Sequence, residues 1–154
     1  MKDCEFCQVV RREIDRCVVF EDGVSLAFLD ERPLFPGHVL VVPQTHYETL
    51  ADLPSELVAP LFINFRLLAQ AVEEALVAQG TFVAINNRIS QSVPHLHVHV
   101  VPRRKKDGLK GFFWPRNPYR DKEQMKEVQK TLRAVVERLG REAGKKERSG
   151  SQRG

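Results

Sequence analysis

The sequence predicts an α+β domain in which an antiparallel sheet is covered by one long helix, with a further helix toward the C-terminus. Three observations carry this. Runs rich in β-branched and aromatic residues, bounded by Gly, Pro, Asp or Asn, recur at residues 18–21, 24–29, 38–42, 81–85 and 95–103. Residues 54–79 instead repeat apolar side chains every three or four positions, as does a shorter stretch from residue 120 to residue 139. The order strand, strand, strand, helix, strand, strand, helix lacks the alternation of a parallel βαβ fold. At 154 residues, 42% hydrophobic and 29% charged, the chain suits a single core. Residues 1–142 are expected to form one domain and residues 143–154, basic and rich in Gly and Ser, a disordered tail.

Taken in order, Cys4-Glu5-Phe6-Cys7 opens the ordered part. A pair spaced in this way serves as a redox motif, as half of a zinc site, or as two unrelated buried thiols. The redox use wants a strand ahead of the motif, and three residues leave no room for one. Zinc fits better but needs two more ligands, and the chain offers five histidines: His38, His46, His95, His97 and His99. Residues 18–21 and 24–29 flank Asp22-Gly23, a two-residue hairpin signal. Pro33, Pro36 and Gly37 make an irregular loop, and Pro43 stops the run of residues 38–42. Leu57, Leu61, Phe65, Leu68, Val72 and Leu76 form the stripe of the long helix, with Gly80 as its stop and Pro60 as a kink or a late start. Residues 81–85 are a strand, and residues 86–94 a polar loop. Met125, Val128, Leu132, Val135 and Leu139 form the last helical stripe, with Asp121 and Gln124 spaced as a capping box.

The net charge is +4. Its positive excess gathers in Arg103 to Lys106 and in the tail. The first cluster is placed to attract polyphosphate, although exposed cations more commonly serve solubility. Nucleic acid is not the expected partner. Three cysteines, Cys4, Cys7 and Cys17, make no disulfide framework, which agrees with a reducing compartment. The N-terminus has no secretory pattern and no apolar run approaches a bilayer span, so the expectation is a soluble, cytoplasmic protein.

The chemistry centres on His95-Leu96-His97-Val98-His99. Read as a strand, the period of two turns Leu96, Val98 and Val100 into a core and sets the three histidines on the other, half-exposed face. Same-face neighbours stand about 6.5 Å apart and the outer pair about 13 Å apart, so one metal ion cannot hold all three. With Gln91-Ser92-Val93-Pro94 ahead of it, and with Pro36-Gly37-His38-Val39-Leu40-Val41-Val42-Pro43 and His46 earlier in the chain, this segment resembles the histidine triad (HIT) family of nucleotide hydrolases and transferases. The likeness runs from Cys4 to about Arg103.

That resemblance implies a HIT-like fold, a homodimer, and a reaction at the α-phosphate of a dinucleoside polyphosphate or a nucleoside phosphoramidate. It gives His97 the role of nucleophile, carrying a nucleotidyl intermediate that water then cleaves. His99 would contact phosphate, and His38 would join the hydrogen-bonded group that orients the nucleophile. Gln91 and Ser92 would bond phosphate or leaving-group oxygens, Asn86 at the head of their loop would also bind substrate, and Asp30 would hold the ribose hydroxyls. Phe28 and Leu29 are candidates for the base pocket, or plain core. Resemblance to bacterial members with an N-terminal CxxC implies a structural zinc on Cys4, Cys7, His46 and His95, with no catalytic metal. Two departures bear on substrate choice. Residues 86–90 are about two residues shorter than usual, with Ser90 where glycine is common, and Phe112 to Trp114 follow the triad where aromatic residues reach a site or pack on the last helix. A zinc-dependent metallohydrolase and a nucleotide-binding module without turnover are the alternative readings.

Overall fold

The computed structural model describes residues 4–109, 119–131 and 133–135, which belong to two units, residues 1–109 and residues 110–154. In the first unit, β1 (Val18–Glu21), β2 (Ser25–Leu29), β3 (Val39–Pro43), β4 (Gly80–Ile85) and β5 (Val98–Arg103) form one antiparallel sheet in the order β1-β2-β3-β5-β4. Asp22 shapes the first hairpin, its Oδ1 accepting the N–H groups of Val24 and Ser25 at 2.9 and 2.8 Å. The connection therefore takes residues 22–24, one more than Asp22-Gly23 alone predicts.

The long helix, α2 (Ser55–Ala75), lies over this sheet. Leu61, Phe65, Leu68 and Val72 pack with Ala27, Val39, Val41, Leu96, Val98 and Val100 in one core. Pro60 lies inside the helix, where its missing N–H removes one ladder bond. The helix ends four residues before the predicted limit, because Val77 turns to φ 51° and breaks the repeat. Gly80, predicted as the stop, opens β4 instead. Arg104 caps the freed carbonyls of Leu76 and Val77 with its guanidinium at 2.5 and 2.9 Å. Gly37 takes φ +92°, and a Cβ there would stand 2.1 Å from Leu76 Cδ1, so no other residue fits without displacement. Asn64, which periodicity did not single out, is buried and donates to Asp22 Oδ2 at 2.8 Å and Ser25 Oγ at 2.9 Å, joining helix to hairpin. By length and composition α2 could cross a membrane, contrary to the expectation that no segment could. Its buried stripe is what holds it on the sheet.

The other face of the sheet is covered too, which the sequence did not reveal. A six-residue helix, α1 (Glu5–Val10), lays Phe6 and Val9 on Leu26, Phe28, Leu40 and Val42 to form a second core. Strands β2 and β3 are consequently apolar on both faces. Two of the triad histidines are buried, not half-exposed, with His95 at 0% and His97 at 2% exposed, while His99 is half-buried. Nor do all three histidines lie on a strand. β5 begins at Val98, because the preceding segment spends its main chain elsewhere, with His95 N–H on the Val93 carbonyl at 2.8 Å and Leu96 N–H on the Tyr47 carbonyl at 2.6 Å.

In the second unit, residues 122–131 and 133–135 are helical (α3). Asp121 Oδ1 accepts the Gln124 N–H at 2.7 Å, while Gln124 Oε1 accepts from the Arg120 N–H at 2.7 Å, one residue earlier than a standard capping box. The 112–114 aromatic run, Leu132, Leu139 and the basic tail lie outside the described residues.

Candidate active site and metal cluster

The register of β3 on β5 sets Leu40 opposite His99 and Val39 opposite Val100, so His38, just ahead of β3, meets His99 diagonally. Their nitrogens, His38 Nε2 and His99 Nδ1, are 3.0 Å apart. The Leu34 N–H donates to His38 Nδ1 at 3.2 Å, so the neutral His38 ring carries its proton on Nε2 and donates to His99. His99 then keeps its own proton on Nε2. Burial lowers the pKa of His38 despite the opposing pull of Asp30. His99 is pushed down to about 4 by burial, then by His97 and His38. Asp30 Oδ2 lies 3.5 Å from His38 Nδ1, but an ion pair there would need a proton on the nitrogen that Leu34 occupies, and we treat the contact as polar and not ionic.

His97 is fixed differently. Its Nδ1 stands 2.7 Å from the carbonyl oxygen of His95, an acceptor only, so the proton is on Nδ1 and the lone pair on Nε2. Its ring centroid is 5.0 Å from that of His99 and 5.2 Å from Phe6. The hydrogen bond of His38 thus reaches His99, while the nucleophile candidate is held by its own main-chain neighbour.

Both rings open on a cleft of about 470 Å³. Asp30, Ser92, His97 and His99 give it polar groups, and Phe6, Phe28, Leu29, Leu40 and Val93 apolar walls. Asp30 is held in place by the Arg32 N–H on its Oδ1 at 2.8 Å. Gln91 and Asn86 are not among the lining residues. Gln91 accepts from the Arg88 N–H at 2.6 Å and donates to the Glu48 carbonyl at 2.7 Å, and Asn86 donates to the Ser90 carbonyl at 3.3 Å, so both brace the loop. Phe6 was missed as a cleft residue. Its place between two candidate ligands was the signal that could have found it. The basic run after β5 is partly engaged, Arg103 with Asp107 at 2.6 Å and Arg104 on the end of α2.

Behind His97, the Sγ atoms of Cys4 and Cys7 and ring nitrogens of His46 and His95 lie within 4.8 Å of one another. Cys7 Sγ is 3.3 Å from His46 Nδ1 and 3.5 Å from His95 Nδ1, and Cys4 Sγ is 3.5 Å from the same His95 nitrogen. Tetrahedral zinc with ordinary Zn–S and Zn–N bonds requires S···N edges of about 3.6 Å, which these donors meet. His95 Nε2 donates to the Pro43 carbonyl at 3.1 Å, leaving the Nδ1 lone pair toward the thiols, the outer hydrogen bond typical of a metal-binding imidazole. The four residues can hold a metal ion. Asp30, His38 and His99 form a second group of possible ligands, but both His38 nitrogens are already hydrogen-bonded.

An antiparallel sheet bearing a histidine cluster over a cleft defines the histidine-triad class of proteins. The chain belongs to the HIT domain family, whose pattern matches residues 11–106. It is 34% identical over 109 residues to the Arabidopsis thaliana adenylylsulfatase HINT3, a match covering 70% of this chain and 55% of that protein. It is 41% identical over 93 residues to the asymmetrical bis(5'-nucleosyl)-tetraphosphatase of Schizosaccharomyces pombe, covering 58% of this chain and 50% of that one. The chain therefore spans about half the length of these two relatives. Among solved structures, a zinc-bound histidine triad family protein from Mycobacterium smegmatis is 37% identical, with a TM-score of 0.67 over 90% of this chain and 96% of that one.

Proposed function

We propose that the protein is a nucleotide hydrolase or transferase that attacks the α-phosphate of a dinucleoside polyphosphate or a nucleoside phosphoramidate through His97. The observation that carries this reading is the His97 tautomer, with Nδ1 tied to the His95 carbonyl and Nε2 left with its lone pair beside the cleft. Attack by Nε2 forms a P–N bond as the bond to the leaving group breaks. Water then cleaves the nucleotidyl-histidine and restores the free ring. His99, neutral and protonated on Nε2, donates to a phosphoryl oxygen as charge builds on it, and Ser92 supplies a second donor. Asp30 takes the ribose hydroxyls, and Phe28 and Leu29 flank the base. Gln91 and Asn86 act at one remove, by bracing the loop that carries Ser92. The named activities of the two relatives, on an adenylyl sulfate and on a dinucleoside tetraphosphate, support the nucleotide part of this reading.

The thiol–imidazole cluster is proposed to hold one structural zinc per chain, fixing α1 and the start of the triad segment and taking no part in bond cleavage. The protein is also proposed to be a homodimer, through a face where Phe62, Ile63 and Leu67 of α2 and Val83 of the edge strand β4 are exposed together. A zinc-dependent metallohydrolase is the alternative reading, weakened by the two hydrogen-bonded nitrogens of His38. The deciding experiment assays wild-type and His97→Ala protein on diadenosine polyphosphates and adenosine phosphoramidates, with mass spectrometry on quenched reactions. A nucleotide adduct on His97 and loss of turnover in the variant are expected. Turnover that survives the substitution and disappears on chelation would favour the metallohydrolase, and binding without turnover would leave a nucleotide-binding module.

A further inference from the structure

We propose that Phe6 and the main chain of His95 link the Cys4, Cys7, His46 and His95 cluster to His97, so that a metal held in the cluster positions the imidazole beside the cleft. His95 belongs to both constellations. Its Nδ1 faces the two sulfurs at 3.5 Å, its Nε2–H is anchored on Pro43, and its carbonyl takes the His97 Nδ1–H. Closing four ligands around one ion fixes where that carbonyl stands, and the carbonyl selects the bare His97 nitrogen only while Phe6 holds the ring against it. The second link runs through α1. Phe6, adjacent to Cys7, meets the His97 ring edge-on at 5.2 Å and 81°, and meets Phe28 at 5.5 Å and 67°. A six-residue helix whose N-cap makes no side-chain hydrogen bond has little stability of its own. Its place rests on Val9 in the second core and on the two cysteines. With the ion bound, His97 is held in its plane by the carbonyl and on its face by Phe6. Without it, both supports are free to shift by the few tenths of an ångström that matter to an attacking nitrogen.

The link makes Phe6 a positioning residue and predicts reciprocity, since two coupled sites must each change the other's affinity by the same factor. The first test is independent of any substrate. In zinc-loaded protein at pH 8, ¹⁵N spectra should show His97 as a single Nδ1–H tautomer, and both chelated protein and zinc-loaded Phe6→Leu should show averaging between the two ring nitrogens. If chelation unfolds the chain, Phe6→Leu decides, because it keeps all four ligands and should retain about one zinc. An unchanged tautomer in Phe6→Leu overturns the proposal. The second test rests on the nucleotide reading of the cleft. Adenosine monophosphate should slow transfer of zinc to a chromogenic chelator in wild type and not in Phe6→Leu. Phe6→Leu should lower kcat about tenfold with KM within about threefold, and Phe6→Tyr should restore kcat. A change confined to KM would make Phe6 a cleft wall only and overturn the link. Failure of adenosine monophosphate to bind either protein would defeat the nucleotide reading, while the tautomer spectra would still decide the link.

Discussion

His97 owes its free Nε2 to one acceptor, the His95 carbonyl, and is buried beneath Phe6. His97→Ala is therefore expected to do two things: remove the nucleotide adduct and turnover, and lower stability by about 2 kcal/mol through the cavity it leaves, read by denaturant titration. Asp30 is held by Arg32 with its carboxylate in the cleft, so Asp30→Ala should weaken ribonucleotide binding more than deoxyribonucleotide binding. Each lost charge-assisted bond is worth about 1.5–3 kcal/mol, and equal losses for the two sugars in calorimetry would take Asp30 out of the ribose site. His99 carries a pH dependence. Its pKa is about 4 in the fold against 6.5 in the open chain, so between those values the unfolded state binds more protons. Stability is thus full above about pH 6.5 and falls as the pH drops toward 4, by on the order of 3 kcal/mol for His99. Unfolding curves at pH 7.5 and 5 should show the loss, and His99→Asn should reduce it.

Among the described residues, Arg12, Val77, Arg88, Ser90 and Lys106 hold ordinary side chains in left-handed backbone. Val77, a β-branched residue 77% exposed at the end of α2, sits at φ 51°. Val77→Gly should remove a strain of about 1–2 kcal/mol, offset by the entropy of glycine in the open chain, for a net gain near 1 kcal/mol in thermal unfolding. In the loop to the triad segment, Arg88 and Ser90 take φ 65° and 59°, so the chain keeps a glycine-like path without its glycines. Amide side chains compensate, through Gln91 on Arg88 and Glu48, Asn86 on Ser90, and Asn87 Oδ1 accepting the Leu50 N–H at 2.8 Å. This loop was legible as polar and irregular. Its bracing from outside was not, because Glu48 and Leu50, the partners of Gln91 and Asn87, lie some forty residues away.

For the whole molecule, the proposed metal and the proposed assembly each make a prediction. Elemental analysis should find about one zinc per chain, and Cys4→Ser with Cys7→Ser should lose the metal and lower the melting temperature. Metal-free wild-type protein with unchanged stability would refute a structural ion. Phe62→Glu with Leu67→Glu, both on the exposed side of α2, should shift sedimentation equilibrium from dimer to monomer while leaving the sheet signal in circular dichroism intact. A wild-type monomer would exclude the assembly.

The sequence by itself determined the antiparallel sheet, the long covering helix and the HIT family, because periods of two and of three to four residues and the paired histidine segments are local patterns that survive any folding context. It located the stripe from Leu61 to Val72, and through the family resemblance it pointed to Cys4, Cys7, His46 and His95, which the structure brings together. Only the tertiary structure decided that His95 and His97 are buried, since the covering residues, Phe6 and Val9, come from a helix too short to leave a periodic signal. It alone decided the tautomers of His38, His95, His97 and His99, because each is set by a partner such as Leu34, Pro43 or the His95 carbonyl whose nearness depends on register and chain path, which composition and spacing do not carry.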